Sequence, residues 1–357
     1  MGKVADKIAA APDDPDAELK SLDADARVAL LRKENKKLRD RLRQRDEGWD
    51  IVEAALKEAY SEPLDIRIEK PRTQSKKLKH EEAVLHWTDL HFGKETRTYN
   101  STVAAERLRE CVQAVHEITE LRRSFARITR CTIQMGGDFG EGEGEIFPGQ
   151  AHEIDQDLIE QFIKFGPEQV SAAILSLLQT FDELQVNGVP GNHGRQGRFA
   201  AKRNNADSVM YEVVRHIVNA AAGKDAKRIT WNLPLDRPRG NEWYAISEVC
   251  GRWRVLLVHG DQIKGQLGFP WYGVGKKVGG WIQALGGFDF MFMGHFHTHA
   301  AFDLNRVTVM ATGSQESDNS YAAENMAASG APKQRLCFMN HNRGLIADHA
   351  IHLGGDA

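Results

Sequence analysis

A chain of 357 residues, 41% hydrophobic and 27% charged, has the make-up of a soluble globular protein with room for one large domain or two ordinary ones. Its net charge of −3 excludes a protein that coats nucleic acid indiscriminately, and no stretch approaches the ~20 apolar residues of a membrane span. Four widely spaced cysteines (Cys111, Cys131, Cys250, Cys337) form no C-x-x-C pair, which argues against a cysteine zinc site and suits reduced thiols in a cytoplasmic protein.

In chain order, residues 1–25, with Pro12, Pro15 and several aspartates, read as a disordered leader that lacks the apolar core of a secretory signal. Residues 26–60 carry a heptad pattern counted from Val28, with Leu31, Leu38, Leu42, Val52 and Leu56 at apolar core positions. Asn35 occupies an a position, where a polar residue fixes register, and Arg45 at d spoils an otherwise regular seam. The pattern predicts a helix, as a coiled coil through which the chain forms a homodimer. A solvated basic helix packed on the following domain is the plainer alternative. Residues 61–82 form a polar, proline-bearing linker.

From Ala83 to Ala357 the pattern changes to short apolar runs that end in glycine-rich turns: "AVLHW", "TIQM", "VNGV", "RVLLV", "FDFMFM" and "VTVMAT". Helical stretches at 104–124, 168–184 and 206–222 separate them. Short buried strands alternating with helices predict an α/β sandwich with central sheets.

Polar residues cluster where these strands stop. Asp89 and His91 follow the first, Asp138 the second, Asn192 and His193 the third, His259 the fourth, and His295 and His297 the fifth. Each has a bland explanation on its own: an aspartate can cap a helix, Pro-Gly-Asn makes a good turn, and a lone histidine is more often a satisfied core residue. Strand-like alternation in "MGHFHTH" leaves three candidates, His295, His297 and His299. Five strands in succession delivering Asp, His or Asn at the same end are harder to explain by packing, because ligands gather where α/β loops converge. Mixed imidazole and carboxylate donors suit Mn²⁺, Fe or Zn²⁺ over Ca²⁺.

The ordered blocks "DLH", "GDFGE", "GNH", "HG" and "GHFH", spanning about Ala83 to His299, resemble the signature of the calcineurin-like metallophosphoesterases. The resemblance implies a four-layer α/β/β/α sandwich. It also implies two divalent metal ions per chain, with Mn²⁺ favoured and Fe, Zn²⁺ and Mg²⁺ as alternatives. By the same likeness Asp89, His91 and His297 would hold one metal and Asn192, His259 and His295 the other. Asp138 would bridge them, and Glu141 would support the ligands from behind. His193 would act as the catalytic proton donor beside the substrate. A hydroxide between metals about 3.5–4 Å apart would attack phosphorus in line. One departure stands out: Gly194 follows Gly-Asn-His where the family commonly has an acid.

Lys94, Arg195, Arg198 and Lys264 lie near the blocks and are candidate phosphate contacts. With the basic segment 194–207 and "WYGVGKKVGGW", they favour a DNA nuclease or other phosphodiesterase over a phosphomonoesterase or nucleotide phosphatase. A scaffold that has lost catalysis is the alternative of another class, disfavoured because all seven ligand positions are filled. Glu143 and Glu145 read as acidic loop, and residues 314–357 as a flap leading into a final strand.

Overall fold

The first strand shows how the sandwich is built. In β1 (Lys79–Trp87), Ala83, Leu85 and Trp87 point one way and Val84 the other, as the two-residue period of a strand requires. The first set packs on helices and Val84 packs on a second sheet, so both faces of β1 are buried. Each such fully buried large side chain contributes roughly 1.5–3 kcal/mol.

The computed structural model describes residues 68–143, 146, 150–195, 197, 202–265, 270–319 and 330–354. The expected leader, coiled coil, first part of the linker (61–67), Glu145 and Arg198 lie outside them. After β1 come α1 (Ser101–Arg122), β2 (Ala126–Met135), α2 (Leu158–Phe162), α3 (Phe165–Thr180) and β3 (Glu183–Gly188). Then follow α4 (Ala206–Ala222), β4 (Ile229–Asn232), β5 (Tyr244–Val249), β6 (Trp253–Val258), α5 (Trp271–Ala284) and β7 (Phe290–Met293). The order closes with β8 (Ala300–Leu304), β9 (Val307–Ala311), β10 (Lys333–Asn340) and β11 (Gly344–His352).

Six strands form one sheet in the order β11-β10-β1-β2-β3-β4, and five form the other in the order β5-β6-β7-β9-β8. The strands β1 to β4 run parallel, as do β6, β7 and β9. Their C-terminal ends therefore deliver loops to one edge of each sheet. Three apolar clusters separate four layers. One lies between the first sheet and α1, α3 and α4, one between the sheets, and one between the second sheet and α5. The expected α/β/β/α sandwich is the observed architecture. Among the described residues no helix is long and apolar enough to cross a membrane.

Some boundaries differ from the sequence reading, among them the helix expected over 104–124, which spans Ser101–Arg122. Lys79–Glu82, placed in the linker, already belong to β1: Lys79, His80 and Glu81 pair with β2, Glu82 pairs with β10, and Glu81 is buried against Arg122. The helix expected over 168–184 starts earlier, at Phe165, and stops at Thr180 because β3 begins at Glu183.

Candidate metal centre

The loops after β1 and β2 prolong the parallel pairing beyond the strands. Asp89, His91 and Phe92 donate their amides to the carbonyls of Gly137, Asp138 and Phe139. Eight described non-glycine residues have positive φ, and five of them are candidate ligands: Asp89, His91, Asp138, His295 and His297. Left-handed backbone is costly for side-chain-bearing residues, least so for Asp, Asn and His, and it concentrates where a site over-determines the chain. Gly294 shows how tightly the loops meet, since a Cβ there would sit 2.0 Å from Thr88 Oγ1 and 2.2 Å from Asp89 Oδ2.

Asp89, His91 and His297 converge. His297 Nε2 lies 3.2 Å from Asp89 Oδ1 and 3.3 Å from His91 Nε2. The far nitrogens are clamped by buried carboxylates: His91 Nδ1 donates to Glu141 (2.7 Å) and His297 Nδ1 to Glu316 (2.6 Å). With Nδ1 held by a carboxylate, each ring turns its Nε2 toward Asp89, and although burial opposes charge on His297, Glu316 and Asp89 outweigh it and raise that ring well above its ordinary value. Nitrogens and oxygens that face one another in this way suit a shared cation. Asp89 is completely buried and also accepts from Thr88 Oγ1 (2.6 Å) and the His295 amide. Burial alone would raise its carboxyl, but the His297 charge outweighs this and holds it well below the usual range.

Asp138, His259 and His295 form the second convergence. His259 Nδ1 donates to the Gly136 carbonyl at 2.8 Å. Its Nε2 therefore faces Asp138 Oδ2 at 2.9 Å and Asn192 Oδ1 at 3.0 Å, again a ring nitrogen turned toward oxygens. Without a metal that crowding is relieved by a proton. Burial disfavours charge on His259, yet Asp138 lifts it to about 10. His295 moves the other way, down to about 4, through burial and the neighbouring His259 charge. Burial would raise the Asp138 carboxyl, but the charges of His259 and His193 and the nearby His91 outweigh it and hold it well below the usual range.

His193 stands at the opening, with its amide on Asp138 Oδ1 (2.7 Å) and its ring edge-to-face with His91. Its Nδ1 donates to the Glu141 carbonyl at 3.0 Å and lies 3.3 Å from the Glu141 carboxylate. Burial opposes charge on this ring, but Glu141 and Asp138 outweigh it and raise it to about 9. The acid absent from position 194 is thus supplied by Glu141. Position 194 has no room for one, because a Cβ there would meet Asn205 Oδ1 at 2.3 Å.

The cations expected at substrate are placed differently. Lys94 is buried, with its Nζ 3.3 Å from Glu141 and 3.5 Å from Glu153, because the carboxylate-rich interior draws it inward. Arg195 pairs with Asp261. Lys264 is exposed on the loop after His259, as is Glu143 on its own loop. His299 is half-buried at the end of the His-x-His turn, driven down to about 4 by burial and Arg335.

Two residues escaped the sequence reading. Glu316, beyond β9, holds His297, and burial is outweighed by that ring so that its carboxyl falls to about 2. Asp207, in the first turn of α4, accepts the amides of Asp138, Phe139 and Gly191 at 2.8–3.1 Å. Burial and then the Asp138 charge push its carboxyl up to about 6. The motif-like "GSQES" and the cap-like "NNAD" carried the only local signals, and neither differs from ordinary loop sequence.

This chain's likeness to known proteins is to solved structures alone. No protein-family model matches the chain, and no curated protein does. Among solved structures, a novel archaeal phosphodiesterase is 7% identical, with 75% of this chain and 99% of that one covered and a TM-score of 0.35. Vps29 complexed with Zn²⁺ from Entamoeba histolytica is 10% identical, covering 76% and 99%, at a TM-score of 0.32. A putative 5'-nucleotidase from Staphylococcus aureus, in complex with alpha-ketoglutarate, is 11% identical, covering 78% and 55%, at 0.37. Identities and TM-scores this low leave the site to be defined by this chain's own residues.

Proposed function

We propose that this chain is a metal-dependent phosphodiesterase acting on nucleic acid, with DNA favoured. The observation that supports it most is the convergence of the His91, His297 and His259 ring nitrogens on the buried carboxylates of Asp89 and Asp138. Asp89, His91 and His297 would hold one divalent cation, Asn192, His259 and His295 a second, and Asp138 both. Bound there, the pair would polarise phosphoryl oxygens and make water a competent nucleophile at neutral pH.

The chain's own groups do the rest. Glu141 and Glu316 fix the rings of His91 and His297 and set which nitrogen faces the centre. His193, kept protonated near neutral pH by Glu141 and Asp138, can donate a proton from Nε2 to the departing alkoxide, while Nδ1 stays on Glu141. Lys94 and Arg195 are committed to carboxylates. A singly charged diester group suits that balance better than a doubly charged monoester.

The test compares purified chain with its Asp138→Asn variant, each with Mn²⁺, on bis(4-nitrophenyl) phosphate, single-stranded DNA, duplex DNA and 4-nitrophenyl phosphate. Diester and DNA cleavage by the unaltered chain alone is the expected result. Equal activity of the two proteins would sink the mechanism, and preference for the monoester would sink the substrate class.

A further inference from the structure

We infer that the exposed face of α5 is a stacking ledge for single-stranded nucleic acid approaching the metal centre, an inference that rests on the proposed nuclease reading and names its substrate's strand form. The topology sets its place. Strands β6 and β7 are parallel and α5 is their crossover, so α5 runs back along them. Its first turn lies at the same end as His259, which follows β6, and His295, which follows β7. The junction is close: a Cβ on Gly273 of α5 would meet the Lys264 carbonyl at 2.3 Å.

That first turn carries two large aromatics in solvent, Trp271 at 46% and Tyr272 at 77% exposure. Only Val274 and Val278 of the helix are buried. Trp271 is steadied by Phe302, with ring centroids 4.1 Å apart. Lys276 follows Tyr272 on the same outward stripe, and Lys264 is exposed on the adjoining loop. The helix has two lysines and no acidic residue, the reverse of the chain's overall −3. Gly275 and Gly279 have open space where a side chain would stand, although glycine is the poorest helix former after proline. Packing within the chain does not call for them, and their bareness leaves a low surface beside Tyr272 and Lys276.

Exposed rings interleaved with cations are the chemistry of base stacking with phosphate neutralisation. Unpaired bases offer their faces to Trp271 and Tyr272, which paired bases inside a duplex do not. The two lysines meet the backbone that runs on toward His259 and His295.

The experiment measures binding by fluorescence anisotropy, using full-length chain and phosphorothioate-linked oligothymidylate, oligouridylate and a duplex, all resistant to cleavage. Single strands should bind more tightly than duplex and quench tryptophan emission. Tyr272→Ala should weaken binding about tenfold, and Lys276→Ala should reduce its salt dependence by about one counterion. Both side chains project into solvent, so folding is retained, and circular dichroism verifies it. Duplex preference, or wild-type affinity in both variants, overturns the ledge. So does binding to phosphatidylglycerol vesicles without binding to oligonucleotide, which would make the face a membrane contact. Hydrolysis of bis(4-nitrophenyl) phosphate by the unaltered chain is scored separately. Its absence with intact strand binding removes the nuclease reading and leaves the ledge standing.

Discussion

The two halves of the candidate metal centre are held by different means. Around Asp89, His91 and His297 the outer nitrogens are gripped by buried carboxylates, Glu141 and Glu316, with Lys94 as counter-charge. Around Asp138, Asn192 and His259 the grip is main-chain. His259 leans on the Gly136 carbonyl, and Asp207 gathers three backbone amides beneath the loops. A carboxylate behind an imidazole makes the ring a more basic donor, whereas a carbonyl mainly fixes its direction. The first half is therefore tuned by charge and the second by backbone shape.

The largest expected effect comes where the halves meet. Asp138→Asn removes the carboxylate proposed to hold both cations and should lower diester hydrolysis by at least about a thousandfold, roughly 4 kcal/mol of barrier. A variant that keeps even a tenth of the rate would show the halves to work independently.

Glu316→Gln separates the halves. It should weaken metal binding at the first about 10–100-fold and leave the second nearly unchanged, so calorimetry would resolve two unequal steps. Equal weakening of both would erase the contrast.

Acidity sharpens it further. In metal-free chain His259 is raised to about 10 from an ordinary value near 6.5. A raised folded-state value stabilises fully below about 6.5 and is lost as pH climbs through about 10, so metal-free chain should melt at progressively lower temperature across that window. Cations compete with the same proton, so metal binding should tighten with pH and release protons. A metal-free melting temperature that rises over this range would contradict the assignment.

The smallest effect concerns position 194. Gly194→Asp supplies the commoner acid but drives a side chain into Asn205, and should cost roughly 1–3 kcal/mol in thermal denaturation without raising the rate. A faster enzyme would mean that Glu141 does not fill that role.

How much was legible follows from where each residue's partners lie. Asp89, His91, Asp138, Asn192, His259, His295 and His297 could be singled out as candidates because each lies just after an apolar run, and the strand end announces its position. Glu316 and Asp207 act through partners far off in sequence, so nothing local marks them. Lys94 read as a phosphate contact for the same reason, since its burial depends on Glu141 and Glu153 arriving from other loops. The central parallel strands stood out as unbroken apolar runs. The short β4 and β8, with one face partly open, gave no comparable signal. The layering was implied by the family resemblance and then observed in the three separate apolar clusters.

The position of β10 beside β1 also governs when the centre can exist during synthesis. Asp89 and His91 hang from the end of β1, whose neighbour on one side is formed by Lys333–Asn340, covered in turn by Gly344–His352. A nascent chain that has made all seven candidate ligands, the last of them His297, still has β1 as a bare sheet edge. Glu316 and the final hairpin arrive only afterwards. Order of translation thus keeps the candidate centre's sheet open until residues 333–340 are made, and a polypeptide released before residue 333 would be prone to pair its open edge with another copy.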